Sequence, residues 1–309
     1  MMQKDIERIL GEVTKVVKGK DRIVLQVVAA ILGGGHILLE DIPGVGKTTL
    51  AVTLSRTMNL NYHRTQFTPD VLPSDITGFS MYNAKTGEFE YREGAAICNL
   101  FLADEINRTS PKTQSALLEV MEEAKVTVDG VTHSIEQPFI VIATQNPIGS
   151  SGTQRMPESQ MDRFLVRLRM GYPAPASEVE ILRGNGAASI DQVSQVIDRD
   201  ELVRMRNEVT GLFLSDEVYQ YIVALTNATR NSEKITLGLS PRGSIATMKM
   251  AKANAFINER DYVTVQDVLE HFHEIAEHRI TISPRARAAG LDVSDVVEEV
   301  IASVKAPKV

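Results

Sequence analysis

The segment Asp41-Ile42-Pro43-Gly44-Val45-Gly46-Lys47-Thr48 combines features that phosphate chemistry requires. Glycines let successive backbone N–H groups turn inward around phosphate oxygens, and a helix starting directly after them points its positive end at the same spot. Lys47 then reaches the β- and γ-phosphates of a nucleotide, and the Thr48 hydroxyl is placed to ligate Mg²⁺. The strict pattern asks for glycine at position 41, where this chain has aspartate. A glycine turn with an incidental lysine is the bland alternative, so further chemistry has to be found elsewhere.

It is found at two other points. Asn99-Leu100-Phe101-Leu102-Ala103 is an apolar run ending in Asp104-Glu105. A carboxylate at the end of a buried strand can hold Mg²⁺ through water, and its neighbour can activate an attacking water. Ile140-Val141-Ile142-Ala143-Thr144-Gln145-Asn146-Pro147 repeats the arrangement with an amide at its end. Asn-Pro is also an ordinary turn, so the functional reading of Asn146 depends on the company it keeps.

These residues need a scaffold that brings strand ends together. Apolar spacing predicts helices over 4–18, about 21–32 and 111–124. Gly33-Gly34-Gly35 stops the second of these. Strand-like runs at 36–39, 62–67, 97–103, 139–144 and 164–169 alternate with helices, the pattern of a parallel sheet covered on both faces. Asp129-Gly130 between two short β-branched runs predicts a hairpin with a type I′ turn, and a weaker hairpin signal sits at 85–88. Tyr172-Pro173-Ala174-Pro175 marks a boundary beyond which only helices are predicted. There Asp198 with Glu201 and Thr264 with Asp267 have capping-box spacing, and Ser240-Pro241 opens a helix.

Composition narrows the classes. Of the 309 residues, 43% are hydrophobic and 24% charged, with a net charge of −7, the balance of a globular chain long enough for two cores. The 33 Lys and Arg are scattered, which argues against a nucleic-acid face. The 6 histidines show no metal-ligand spacing. The one cysteine, Cys98, lies in an apolar setting, which suggests a buried thiol in a reducing compartment. No run is long enough to cross a bilayer and no secretory signal is read, so no membrane insertion is expected and the cytoplasm is the expected location.

On these motifs the chain resembles the MoxR group of AAA+ ATPases over nearly its whole length. The most specific strings are Leu72-Pro73-Ser74-Asp75-Ile76-Thr77-Gly78 and Asp104-Glu105-Ile106-Asn107-Arg108. Gly35 to Thr48, Gln66-Phe67-Thr68-Pro69-Asp70, Gln145-Asn146-Pro147, Asp162-Arg163-Phe164 and Ser240-Pro241-Arg242-Gly243 match as well. An acidic residue at the position of Asp41 is common in that group. The resemblance implies a P-loop αβα sandwich around a parallel five-stranded sheet over 1–173, then a smaller all-α lid over 174–309. Insertions are expected at about 72–94 and 125–135. Carried over residue by residue, Pro43, Gly44, Val45, Gly46, Lys47, Thr48 and Thr49 form the phosphate cradle, Gly19 borders the adenine, and Thr48 and Asp104 hold the Mg²⁺ of bound ATP. Glu105 serves the attacking water, Asn146 is sensor 1, and Arg242 is sensor 2 on the lid. Arg163 is the arginine finger for the adjacent subunit's ATP, with Arg108 and Arg155 as rival interface arginines. Two strings depart from the group: Gly94-Ala95-Ala96-Ile97 replaces a Gly-Pro-aliphatic-Phe string, and Gln154-Arg155 replaces Tyr-Pro.

The implied activity is ATP hydrolysis in a homo-oligomeric ring, commonly a hexamer, coupled to remodelling, maturation or metal insertion for a protein client, with a von Willebrand factor A domain protein as partner. A nucleic-acid motor is the first alternative, but the Val128-Asp129-Gly130-Val131 hairpin tip carries an acid where phosphate contact needs a base. An ATP-dependent switch or scaffold with little turnover is the second, and Glu105 and Arg163 argue against it.

Overall fold

A computed structural model describes residues 2–42, 44–146, 156–182 and 190–307. The first half contains strands β1 (Ile37–Glu40), β2 (Tyr62–Gln66), β3 (Gly78–Asn83), β4 (Glu88–Glu93), β5 (Leu100–Asp104), β6 (Lys125–Val128), β7 (Val131–Ser134), β8 (Ile140–Gln145) and β9 (Val166–Leu168). Five of these form one parallel sheet in the order β2-β5-β8-β1-β9. β5 and β8 are buried throughout, as strands covered on both faces must be. Their side chains alternate between two apolar layers. Ile37, Leu39, Leu100, Leu102, Ile140 and Ile142 pack with the helices Met2–Val16 and Asp21–Leu32. Leu38, Phe101, Ala103, Val141 and Ala143 pack with Leu117, Leu118 and Met121 of the helix Pro111–Glu123. The registers Gln66↔Asp104 and Glu40↔Gln145 bring the carboxyl ends of the strands to one edge.

Both expected hairpins are present. β6–β7 turns through Asp129 (φ 49°) and Gly130 (φ 81°), the two positive angles a type I′ turn requires. β3–β4 follows the short helix Pro73–Thr77. Tyr91 of β4 stacks on His133 of β7 with ring centroids 3.8 Å apart, so the two hairpins touch each other. The predicted strand at 97–103 starts later than expected, because Ile97 and Cys98 donate into a turn, to the carbonyls of Gly94 and Ala96. Cys98 is buried, and burial pushes its thiol up to about 12.

The second half is helical, with one correction to the reading of helices only. β10 (Ile235–Leu237) pairs antiparallel with β11 (Thr281–Ile282) in a ribbon too short to leave a periodic signal. The three caps sit where expected: Asp198 accepts from the Glu201 N–H, Thr264 and Asp267 form a capping box, and Ser240 accepts from the Arg242 N–H ahead of Pro241. One cluster, including Leu225, Phe272 and Val297, belongs to this half alone. Leu202, Met205 and Val209, with Ala246, Met250 and Ala253, instead pack against the N-terminal helices and the sheet. The helical half is thus fixed to the sheet and the N-terminal helices through the helices Arg199–Gly211 and Pro241–Ile257. Among the described residues no helix is long and apolar enough to cross a membrane.

The triple glycine does more than stop a helix. Gly33 closes Asp21–Leu32 and Gly34 adopts φ 66°, while Gly35 lies so close to Leu165 that a Cβ would meet its side chain at 2.4 Å. Replacing Gly35 by Ala should therefore cost roughly 1–3 kcal/mol through overpacking. Denaturant unfolding checks this, and an unchanged midpoint would show that Leu165 yields freely.

Candidate active site

The loop expected to cradle phosphate joins β1 to the helix Lys47–Thr57. Gly44 (φ 85°) and Gly46 (φ 95°) take the left-handed angles that aim backbone N–H groups inward, and Gly46 is the N-cap of that helix. Lys47 is buried, with its Nζ donating to the Asp41 carbonyl at 2.7 Å. Burial lowers its pKa, and the carboxylates of Asp41, Asp104 and Glu105 offset part of that effect. Asp41 has its own task at the non-glycine position. Its Oδ1 accepts from the Ile42 N–H at 2.9 Å and its Oδ2 from the Gly171 N–H at 2.5 Å, fixing the loop to the chain that leaves β9. Pro43 lies outside the described residues. Val45 packs on the core, and Thr48 and Thr49 are half-buried in the first turn of the helix.

Opposite the loop, the ends of β5 and β8 are joined through Thr144, which is fully buried. Its hydroxyl donates to Asp104 Oδ1 at 2.6 Å and accepts from the Glu105 N–H at 2.8 Å. Arg64 Nη2 holds the other Asp104 oxygen at 2.7 Å. Glu105 has φ 58°, an angle that turns its side chain off the strand line. Its Oε1 accepts from Asn146 Nδ2 at 2.9 Å, and its Oε2 from Gln66 Nε2 at 2.9 Å and Arg108 Nη1 at 2.7 Å. Burial pushes the Glu105 carboxyl up, but the hydrogen bonds from Arg108 and Asn146 and the Arg108 charge outweigh it, and its pKa lies below the usual carboxylate value. Asn146 is buried, and its Oδ1 has no partner among the described residues. Gly44, Gly46, Lys47, Thr48 and Thr49 face Asp104, Glu105, Asn146 and Arg64 across a cavity of about 330 Å³.

Thr48 and Asp104 line the same cavity and offer a divalent cation too few protein ligands to hold it by themselves. No group of three or more His, Cys, Asp or Glu able to hold a metal exists among the described residues. The donors suit an ion that takes its remaining ligands from phosphate and water, the habit of Mg²⁺. Such an ion would supply charge neutralisation for the phosphates.

The arginines sort differently. Arg163 and Arg242 do not line this cavity; both engage Glu122, Arg163 through Nη2 at 3.2 Å. Asp162 does not pair with its neighbour Arg163. It takes Arg279 Nε at 2.7 Å on one oxygen and the Ser240 hydroxyl at 2.7 Å on the other. Arg108, a rival for an interface role, is occupied by Glu105, and Arg155 lies outside the described residues. Gly19 (φ 67°) abuts Ser177, and neighbouring Lys20 donates to the carbonyls of Met170, Gly171 and Tyr172.

Residues 36–166 match the family described as "ATPase family associated with various cellular activities (AAA)", and residues 227–300 match the AAA lid domain. "Chaperone MoxR1" of Mycobacterium tuberculosis is 37% identical over 98% of this chain and 83% of its own length. The chain belongs to the MoxR group of AAA+ ATPases. Another relative by sequence is "Uncharacterized protein YeaC" of Bacillus subtilis, 46% identical over 99% of this chain and 97% of its own. A crystal structure from Cytophaga hutchinsonii, provisionally described as an ATPase, superposes with a TM-score of 0.91 at 38% identity, covering 99% of this chain and 96% of that one. The αβα core with a parallel five-stranded sheet and a lid is the AAA+ architecture.

Sequence reasoning missed Thr144, Arg64, Gln66, Glu122 and Arg279. Thr144 carried a signal, a hydroxyl at the end of an otherwise apolar strand two residues before Asn146. Arg279 carried none. Thr144→Val keeps the shape and removes the bridge between Asp104 and Glu105. It should lower ATP turnover on the order of tenfold to a hundredfold, the range of a misplaced general base, with nucleotide affinity changed far less. Unaltered turnover would show that Asp104 and Glu105 hold their positions without Thr144.

Proposed function

We propose that the chain hydrolyses ATP with Mg²⁺ in an oligomeric ring whose sites are shared between subunits, and uses the cycle to remodel or mature a protein client. The carrying observation is the division of the charged groups. Lys47, Asp104, Glu105 and Asn146 converge on one cavity, whereas Arg163 and Arg242 sit together on Glu122 outside it. Arginines that serve phosphate from there must meet a neighbour's nucleotide.

In this mechanism Lys47 exchanges the Asp41 carbonyl for β- and γ-phosphate oxygens. Thr48 and Asp104 hold the Mg²⁺. A water hydrogen-bonded to Asn146 Oδ1 and Glu105 attacks the γ-phosphorus, the bond to the β–γ bridging oxygen breaks, and the water proton passes to the Glu105 carboxylate. ADP keeps the bridging oxygen. Loss of the γ-phosphate removes the tie between one subunit's cavity and the next subunit's arginines, which changes how the subunits sit.

A protein client is favoured by the β3–β4 ribbon, which leaves Phe79, Met81, Tyr82 and Phe89 exposed, Phe89 at 74%. The name "Chaperone MoxR1" borne by a relative points the same way. A von Willebrand factor A domain protein is the proposed partner, with the ribbon and the β6–β7 hairpin as its contact or the client's.

Lys47→Ala should weaken nucleotide binding by at least tenfold, since the lysine is a main phosphate ligand. Glu105→Gln should bind ATP and not turn it over. Specific activity should rise with protein concentration and then saturate. Arg163→Ala should be inactive alone and regain activity when mixed with Lys47→Ala subunits, which lack a working loop but keep the arginine. Absence of that rescue in verified mixed assemblies counts against a shared site, and wild-type turnover by Lys47→Ala and Glu105→Gln sinks the site assignment.

A further inference from the structure

Where the helix Pro241–Ile257 crosses the core it closes a second cavity, of about 270 Å³. Arg242, Ile245, Ala246 and Lys249 line it from one face of that helix, at i, i+3, i+4 and i+7. The core side contributes Arg163, Glu122, Asp162 and His36, and Arg279 also reaches it. Asp162 and Arg279 neutralise each other. His36 adds no charge. Its Nε2 lies 2.9 Å from the Met121 carbonyl, its Nδ1 accepts from the Val141 N–H at 3.0 Å, and burial pushes it down to about 4.

What remains is an imbalance. Arg163, Arg242 and Lys249 face one carboxylate, Glu122, which already carries both guanidiniums. Lys249 has no ion-pair partner among the described residues, and burial followed by the nearby Arg206 charge lowers its pKa. Arg206 is pushed down to about 10 by burial, with its Nη2 unpartnered, and Arg163 Nε is buried and unpartnered too. Half-buried positive charge without counter-charge is costly unless an anion arrives.

We propose that this cavity is a phosphate site completed by a second copy of the chain, with Lys249 as a third cation beside Arg163 and Arg242 for the neighbour's γ-phosphate, and Glu122 as the carboxylate that fills it beforehand. The proposal rests on the shared-site reading above and extends it by two residues. An ammonium suits this position because it acts as a point charge beside the planar forks of the two arginines.

The test is mixed-subunit complementation, with co-assembly verified by capture through a tag on one of the two chains. Lys249→Gln removes an unpaired charge, so its melting temperature should equal or exceed that of wild type. Its turnover should fall about tenfold or more, the scale of one lost transition-state contact, with nucleotide affinity of the unassembled subunit unchanged. Lys249→Arg should restore most of the turnover. Mixed with Lys47→Ala subunits, both Lys249→Gln and Arg163→Ala should recover. Recovery of Arg163→Ala alone overturns the Lys249 assignment and leaves the shared site standing. Recovery of neither brings down the shared-site reading, and this proposal with it. A lower melting temperature for Lys249→Gln makes the residue structural and overturns its assignment. Glu122→Gln should lower the KM for ATP severalfold in the assembled protein, and a raised KM overturns the place-holder role. Inorganic phosphate is the other source of the same chemistry. Its binding to unassembled Lys47→Ala protein, lost on adding Lys249→Gln, would assign the cavity to free phosphate and overturn the neighbour as donor.

Discussion

The buried ion pair between Asp162 and Arg279 is the constraint on which the placement of lid and core depends. Arg279 is almost wholly enclosed, and it donates to the Asp162 carboxylate and to the carbonyls of Asp162, Phe164, Leu165 and Ile275. A guanidinium taken from water needs that many acceptors to offset its desolvation, and breaking such a pair by deleting one partner typically costs about 3–5 kcal/mol. Ser240, the cap of the helix that bears Arg242 and Lys249, holds the second Asp162 oxygen. One carboxylate therefore fixes three things: the turn that displays Arg163, the start of the helix that displays Arg242, and the turn after Phe272–Ala276 that carries Arg279. The two arginines meet at Glu122 because their supports are tied to the same residue.

A comparable economy holds at the carboxyl edge of the sheet. Parallel strands end together, so their last residues form a row, and ligands of such sheets gather beyond that row. Thr144 turns the row into a unit by bonding both Asp104 and the Glu105 backbone. The left-handed angle at Glu105 is strain of the kind that persists only where neighbours over-determine it. Here Thr144 holds its N–H, while Asn146, Gln66 and Arg108 hold its carboxylate.

Legibility in the sequence followed range of interaction. The loop, the acidic pair and Asn146 could be read because each is a local string at the end of an apolar run, and β6–β7 because Asp-Gly alone dictates its turn. The ribbon of β10 and β11 could not, since its strands are two or three residues long and lie 44 positions apart at their nearest ends. Asp162 precedes Arg163 in the chain, yet it does not pair with it. Its partner Arg279 is 117 positions away, in a turn whose local sequence gives no hint of a buried arginine. Glu122 was illegible for the same reason: it is an exposed-face residue of an amphipathic helix, and the two arginines that reach it come from positions 41 and 120 residues further along the chain.

The charged groups that the sequence marks for nucleotide already have internal partners, whereas Lys249 has no ion-pair partner among the described residues. Lys47 is held by the Asp41 carbonyl, Asp104 by Arg64, Glu105 by Arg108, and Arg163 and Arg242 by Glu122. These contacts keep charged atoms satisfied when no phosphate is near, and every one of them competes with the contact that the proposed mechanism needs. Several are half-exposed pairs, individually worth only about 0–1 kcal/mol, so a polyphosphate with its cation can displace them one by one. The same weakness makes the resting arrangement easy to restore after phosphate leaves. On the proposed shared-site function, such a site spends little binding energy on breaking its own contacts, yet keeps the carboxylate and the arginines in separate hands until a nucleotide and a neighbouring subunit are both present.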